Sequence, residues 1–131
     1  MKILITGATG FIGSRLIRYL TSKNHNIVGL SRTTQNHEIK KISLTDKKKL
    51  NNFFKKNKFD VVICNEVLYY IDPIYYDEVK TNIYSLVNDN GYLILSLGHF
   101  FEFNDVKSLF NEITIHYHNE IIREDGTYFM I

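Results

Sequence analysis

The stretch TGATGFIG places three glycines, Gly7, Gly10 and Gly13, between an apolar segment and an amphipathic one. The apolar residues before it, KILIT, have the pattern of a short buried strand, and the spacing of apolar residues over 11–23 predicts a helix. A strand, a glycine-rich loop and a helix in direct succession form a β-loop-α unit. This unit makes an alternating α/β fold the first expectation.

The rest of the chain continues the alternation. Buried-type strands are predicted at residues 27–31, 41–44, 60–64 and 92–97, and helices are predicted after Thr45, over 73–87 and over 105–112. Asn90-Gly91 is expected to turn the chain between helix and strand. Residues 113–120 and 127–131 are expected to form a terminal hairpin that turns at residues 124–126. We therefore expect one three-layer α/β domain over residues 1–131, with a mostly parallel, doubly wound sheet in the order 3-2-1-4-5-7-6.

Composition narrows the class of protein. At 131 residues, 44% of them hydrophobic, the chain can form one folded domain. The lone cysteine, Cys64, excludes an internal disulfide, and the sequence shows no secretory signal pattern and no apolar run of membrane-spanning length, so we expect a cytoplasmic protein. Net charge is +10 over residues 1–60 and −8 over residues 61–131. Because the lysines lack interleaved aromatics and the second half is acidic, we do not expect a nucleic-acid partner. Since no apolar run has membrane-spanning length, we expect no membrane partner either.

The glycine spacing points to a nucleotide site. In a β-loop-α unit the first glycine allows a tight turn, the second lets the backbone approach a pyrophosphate, and the third lets helix and strand pack closely. The free amides and partial positive charge of the helix N-terminus attract anions. The loop is therefore expected to bind a small-molecule nucleotide cofactor.

The segment MKILITGATGFIGSRLIRYL, followed by IVGLSR, ISLTDKKKL and KFDVVI, resembles the extended short-chain dehydrogenases of the NAD-dependent epimerase/dehydratase family. The resemblance covers residues 1–63 and implies a Rossmann-like fold that binds NAD or NADP. It implies that the glycines surround the pyrophosphate, that the first residues of the helix face the dinucleotide, and that Asp46 lies beside the adenine. The implied cofactor-binding residues are Gly7, Thr9, Gly10, Phe11, Ile12, Gly13, Ser31, Arg32 and Asp46.

The end of the second strand departs from the NAD-preferring members of that family. Those members usually place an aspartate there to hold both ribose hydroxyls, whereas this chain has Ser31 followed by Arg32. Without the carboxylate a 2′-phosphate is not repelled, and Arg32 can pair with it through charge-assisted hydrogen bonds. The sequence therefore favours NADP over NAD.

The resemblance to that family stops after DVVI. Tyr76 and Lys80 have the spacing of the family's catalytic YxxxK pair, but they precede the fifth predicted strand, whereas the family's pair follows it. The family also carries a substrate domain after the nucleotide-binding domain, and 131 residues leave no room for one. The expectation from this resemblance is a related NAD(P)-binding domain without the catalytic position.

The second half, FDVVICNEVLYYID with GYLILSLGHF and HYHNEIIREDGTYFMI, resembles class I S-adenosylmethionine-dependent methyltransferases, most closely the nodulation N-methyltransferase type. This resemblance covers residues 59–131. It implies a methyltransferase acting on a small molecule or a saccharide amine, with Glu66 and His99 near the acceptor. The first loop argues against a methyl-donor site, because such enzymes place an acid and a closely spaced GxGxG there.

Three interpretations of function therefore stand at the level of sequence. The first is an NAD(P)-binding domain, the second is an S-adenosylmethionine-dependent methyltransferase, and the third is a non-catalytic remnant or a partner-binding subunit. The sequence leaves open whether the chain is a homo-oligomer. His116 and His118 share a strand face without an evident third ligand, so no metal site is predicted. The catalytic candidates are Glu66, His99, Tyr76 and Lys80.

Overall fold

The computed structural model describes residues 1–55, 57–97, 107–110, 120–122 and 128–130. Strands and helices alternate along the chain up to the fifth strand. The strands are β1 (Lys2–Thr6), β2 (Asn26–Ser31), β3 (Ile39–Lys41), β4 (Phe59–Asn65), β5 (Val87–Ser96), β6 (Glu120–Ile122) and β7 (Tyr128–Met130). The α-helices with assigned bounds are α1 (Phe11–Ser22), α2 (Lys47–Phe54) and α3 (Tyr76–Leu86), and short 3-10 turns span Leu68–Tyr70 and Pro73–Tyr75.

Strands β1 to β5 form a parallel sheet in the order β3-β2-β1-β4-β5. The register places Leu4 of β1 beside Val28 of β2 and Val62 of β4. The predicted α/β class with a parallel, Rossmann-like sheet is confirmed. Strand order reverses at β1, since β2 lies on one side of it and β4 on the other, and ligands of such sheets bind at the carboxyl ends of the strands at this point.

Apolar side chains fill both faces of the sheet. On one face, Ile3 and Ile5 of β1 pack with Ile17 of α1. On the other face, Leu4 of β1 packs in the cluster that contains residues of α2 and α3, among them Leu50. The alternation along β1 thus produces the three layers expected from the sequence.

Strand β3 differs from its prediction at residues 41–44. It occupies Ile39–Lys41, because the Asn36 side chain accepts hydrogen bonds from the amides of Glu38 (2.9 Å) and Ile39 (2.8 Å) and starts the strand early. The carbonyl of Leu44 accepts instead from the Nδ2 of Asn82 on α3, at 2.9 Å. This side-chain bond takes the place that a strand partner would have.

The segment before β5 also differs from its prediction. The helix expected over 73–87 begins as a 3-10 turn and becomes α3 only at Tyr76, and Val87 is already extended and pairs with Phe59. The predicted turn at Asn90-Gly91 is wrong, because these residues lie within β5. The pairing of β5 with β4 is irregular at this point, since Val87 pairs with Phe59 and Tyr92 pairs with Val61. A hydrogen bond of 2.8 Å from the Asn88 side chain to Asp60 fixes this irregular stretch.

The last two strands pair antiparallel, with Ile121 opposite Phe129. The first of them begins at Glu120, so the strand predicted over 113–120 is described only at its last residue. The predicted turn at 124–126, and the predicted helix over 105–112 apart from 107–110, lie outside the described residues. The place of β6 and β7 in the strand order stays a prediction. Across the described ranges, no helix combines the length and apolar character that crossing a membrane requires.

Candidate functional site

A cleft of about 490 Å³ opens at the carboxyl ends of β1, β2 and β4. Its volume lies within the range of small-molecule and cofactor sites. Eight of the residues singled out from the sequence line it: Gly7, Thr9, Gly10, Phe11, Ile12, Ser31, Arg32 and Glu66. The fold thus brings the glycine loop, the end of β2 and the residue after β4 to one place.

The glycine loop leaves no room for side chains at two of its three glycines. Gly7 has φ +67°, and a Cβ atom there would lie 2.6 Å from the carbonyl oxygen of Asn65. Gly13 is buried in α1, and a Cβ atom there would collide with the carbonyl oxygen of Gly7. The loop is closed by a hydrogen bond of 2.9 Å from the Gly10 amide to the Gly7 carbonyl. Gly7 and Gly13 therefore shape the loop, and Gly13 does so without lining the cleft.

Gly10 is the N-cap of α1, and no side chain caps the helix. The first turn contains no acidic residue, and Phe11 and Ile12 are 73% and 41% exposed. An uncapped helix N-terminus carries partial positive charge and unpaired amides. This end of the cleft is therefore suited to an anion such as a pyrophosphate.

Ser31 organises the end of β2. Its buried hydroxyl accepts hydrogen bonds of 3.2 Å from the amides of Thr33 and Thr34 and lies 3.3 Å from the hydroxyl of Thr9. These contacts fix the turn that follows β2 and tie it to the glycine loop. Ser31 thereby determines where the next residue, Arg32, stands.

Arg32 is an exposed cation at the rim of the cleft. Its guanidinium lies over the ring of Tyr70, with 5.7 Å between Cζ and the ring centroid. Within the described ranges, no carboxylate forms an ion pair with it. The Arg32 charge thus stands at the end of β2, where a carboxylate would be needed to hold a ribose diol.

Glu66 is the first residue after β4, and several contacts hold it in place. Its φ is +51°, its amide donates to the Ser96 carbonyl at 2.9 Å, and the Ser96 hydroxyl donates to its Oε1 at 3.1 Å. Burial raises the pKa of the Tyr69 hydroxyl, and hydrogen bonds and charge interactions with Tyr70 and the Glu66 carboxylate raise it further. The Glu66 carboxylate is thus a fixed anion on the β4 side of the cleft.

Besides Gly13, three of the predicted site residues lie away from the cleft lining. The Asp46 carboxylate caps α2, and hydrogen bonds from the Lys49 amide (3.0 Å) and side chain lower its pKa. Burial raises the pKa of Tyr76, and Lys80 pairs with Asp77 at 3.6 Å. Both residues lie on α3, before β5, as the sequence predicted.

Four other residues complete the account of the sequence candidates. His99, His116 and His118 lie outside the described residues. Cys64 is buried at the end of β4, and burial raises the pKa of its thiol to about 12, so it is an inert group beneath the cleft.

The cleft also contains residues that the sequence analysis did not assign to it. Tyr69 and Tyr70 line it from the 3-10 turn after β4, and Thr33 and Leu44 line it from the loops after β2 and β3. Their position in the sequence could have indicated that they line the cleft, because each follows a strand at the carboxyl edge of the sheet. The contact of Tyr70 with Arg32 shows that the segment after β4 reaches past β1 to the end of β2.

Residues 3–65 match the sequence model of the NAD dependent epimerase/dehydratase family. The dTDP-D-glucose 4,6-dehydratase of Dictyostelium discoideum is 34% identical over 95 residues, which covers 60% of this chain and 22% of that protein. The resemblance of the first half of the chain to this family is confirmed. The chain spans about a fifth of the length of the curated dehydratases it matches.

Solved structures with a similar fold come from more than one family of proteins. The 1,6-didemethyltoxoflavin-N1-methyltransferase of Burkholderia thailandensis superposes with a TM-score of 0.77 at 15% identity, covering 98% of this chain and 68% of that one. An NAD-bound short-chain dehydrogenase/reductase superfamily protein from Agrobacterium tumefaciens gives a TM-score of 0.54 at 17% identity, covering 72% and 32%. The chain is thus a Rossmann-like α/β protein whose first half matches the sequence model of the epimerase/dehydratase family. Its neighbours by fold include both dehydrogenases and methyltransferases.

Proposed function

We propose that the chain binds NADP through the cleft and acts as a nucleotide-binding domain related to the epimerases and dehydratases. In this proposal the pyrophosphate lies at the N-terminus of α1, against Gly7 and Gly10. The adenosine half lies toward the end of β2, where Arg32 meets the 2′-phosphate.

The observation that carries the proposal is the placement of Arg32 beside the glycine loop in one cleft. The uncapped helix end attracts the pyrophosphate, and Arg32 supplies a second positive charge within the same cleft. NAD lacks the 2′-phosphate, so it gains nothing from Arg32. The site fits a dinucleotide with two anionic groups better than one with a single anionic group.

The proposed activity is binding with little dehydrogenase or epimerase turnover. The two residues with YxxxK spacing stand on α3, outside the cleft lining, and Lys80 is engaged by Asp77. We therefore expect neither Tyr76 nor Lys80 to act on a substrate held against the nicotinamide. The chain would bind the cofactor without carrying this catalytic pair.

A second candidate function is methyl transfer from S-adenosylmethionine. It is favoured by the carboxylate of Glu66 at the end of β4, beside Tyr69, where an acceptor amine would be held. The solved methyltransferases support only the fold of this candidate. The cation at Arg32 opposes it, because S-adenosylmethionine has no phosphate and needs a carboxylate for its ribose.

Direct titration tests the leading proposal. Binding of NADPH and NADH is followed by the fluorescence of the reduced nicotinamide, in the wild type and in Arg32→Asp. We expect the wild type to bind NADPH more tightly and Arg32→Asp to prefer NADH, since an aspartate repels the 2′-phosphate and accepts from the ribose hydroxyls. The variant Arg18→Asp makes an equal charge change at an exposed position of α1 and is expected to keep the wild-type preference for NADPH. Absence of NADPH binding by the wild type would contradict the proposal.

A further inference from the structure

The cleft carries opposite charges on its two sides. Arg32 follows β2 and Glu66 follows β4, and these strands flank β1 in the sheet. Neighbouring strands are about 4.8 Å apart, so the ends of β2 and β4 lie roughly 10 Å from each other. The glycine loop after β1 lies between them.

This arrangement orients a dinucleotide. When the pyrophosphate lies at the helix end over β1, the two nucleoside halves extend to opposite sides of it. The Arg32 side takes the half with the 2′-phosphate, because the other half has no additional anion. The nicotinamide half then extends toward β4 and Glu66.

The Glu66 carboxylate is held in position by two groups. The Ser96 hydroxyl donates to one of its oxygens at 3.1 Å, and the Tyr69 hydroxyl is a second partner. In the part of the chain that the structure describes, no lysine, arginine or histidine forms an ion pair with it. Its negative charge is therefore available to a ligand in the cleft.

Resting on the proposed function, we propose that Glu66 makes the site selective for the oxidised dinucleotide. The oxidised nicotinamide ring carries a positive charge and the reduced ring carries none. A fixed carboxylate on the nicotinamide side attracts the charged ring and has no comparable attraction for the neutral one. Glu66 is thus a specificity-determining residue for the redox state of the cofactor.

The test compares NADP⁺ with NADPH by isothermal titration calorimetry. The measured quantity is the ratio of the Kd for NADPH to the Kd for NADP⁺. Replacing the carboxylate in Glu66→Gln keeps the size of the side chain and an oxygen that accepts from Ser96. We expect this ratio to fall by about tenfold in Glu66→Gln, as for loss of one nearby charge interaction in a partly solvated site.

The control is Asp89→Asn, which removes a carboxylate with 93% side-chain exposure near the amino end of β5, away from the cleft, and it is expected to keep the wild-type ratio. Ser96→Ala, which leaves the charge but removes its hydroxyl partner, is expected to lower the ratio less than Glu66→Gln. A ratio unchanged in Glu66→Gln would overturn the inference while leaving the proposed NADP binding intact. Failure of both forms to bind the wild type would overturn the proposed function and this inference with it.

Discussion

The guanidinium of Arg32 lies over the ring of Tyr70, 5.7 Å from its centroid, although the two residues follow different strands on either side of β1. A cation over an aromatic face is attracted by the ring, with an energy of about 0.5–1 kcal/mol at exposed sites. The contact restrains a long, flexible side chain at the rim of the cleft. It links the segment after β4 to the end of β2.

This contact predicts the effect of Tyr70→Leu. Without the ring, Arg32 loses its restraint, and we expect the affinity for NADPH to fall by about threefold while that for NADH stays unchanged. Fluorescence titration measures both. The matched control is Tyr75→Leu, a half-exposed tyrosine outside the cleft lining, which is expected to change neither affinity. Equal losses for NADPH and NADH in Tyr70→Leu would contradict the role given to the contact.

Two glycine substitutions are expected to separate folding from binding. A Cβ atom at Gly13 meets the backbone of Gly7 and Ala8, so Gly13→Ala is expected to lower the free energy of unfolding by about 1–3 kcal/mol. At Gly10 the nearest atom to a Cβ is the Gly7 carbonyl oxygen at 3.2 Å, a contact that a small shift relieves.

Gly10→Ala is therefore expected to fold with a stability loss of no more than about 1 kcal/mol. Its methyl group would stand where the pyrophosphate approaches the backbone, so the affinity for NADPH is expected to fall about tenfold. Urea unfolding and fluorescence titration give the two quantities. Wild-type affinity in a folded Gly10→Ala would argue against a pyrophosphate at this position.

The buried bond between Asn82 and the Leu44 carbonyl predicts a stability effect. Asn82→Leu leaves that carbonyl without its side-chain donor, and we expect the free energy of unfolding to fall by about 1–3 kcal/mol. The control is Ser85→Ala, since the exposed Ser85 hydroxyl donates to the Asn82 carbonyl and its loss is expected to cost less than about 0.5 kcal/mol. Equal losses in the two variants, measured by urea unfolding, would contradict the role of the bond in holding the segment after β3.

The Cys64 thiol predicts a dependence of stability on pH. Burial raises its pKa from 9.0 to about 12, so the unfolded chain releases a proton above pH 9 that the folded chain retains. The stabilisation is complete below pH 9 and is lost as pH rises toward 12. Relative to Cys64→Ala, the wild type is expected to lose about 1 kcal/mol of unfolding free energy between pH 7 and pH 10. Parallel pH profiles of the two proteins would count against a buried thiol.

The local elements of the fold were predictable because their signals are local. Residues 2–6 alternate between two buried faces as one strand, and the apolar spacing after Gly10 defines α1. The bounds of β3 were not predictable, since its start depends on the Asn36 side chain and the segment after it is bonded at Leu44 to Asn82, which is 38 residues away. The start of β5 depends on its pairing with Phe59, which overrides the turn preference of Asn90-Gly91.

The part of the cleft formed by the glycine loop and the end of β2 was predictable, and the part formed by the segment after β4 was not. The glycine loop and Arg32 follow from motif and strand position. The contacts of Tyr70 with Arg32 and of Ser96 with Glu66 join residues at least 30 positions apart. Such contacts depend on the path of the chain after β4, which no spacing rule defines.

The proposal that the cleft binds NADP is tested most directly by measuring the Tm of the protein in parallel with NADP(H), NAD(H), S-adenosylmethionine and S-adenosylhomocysteine. A ligand that binds only the folded state at a hundredfold excess over its Kd adds about 2.7 kcal/mol, which raises the Tm of a domain of this size by several degrees. We predict the largest shift with NADP(H), and a smaller one with NAD(H). A larger shift with S-adenosylmethionine or S-adenosylhomocysteine, or no shift with any of the ligands, would contradict the account.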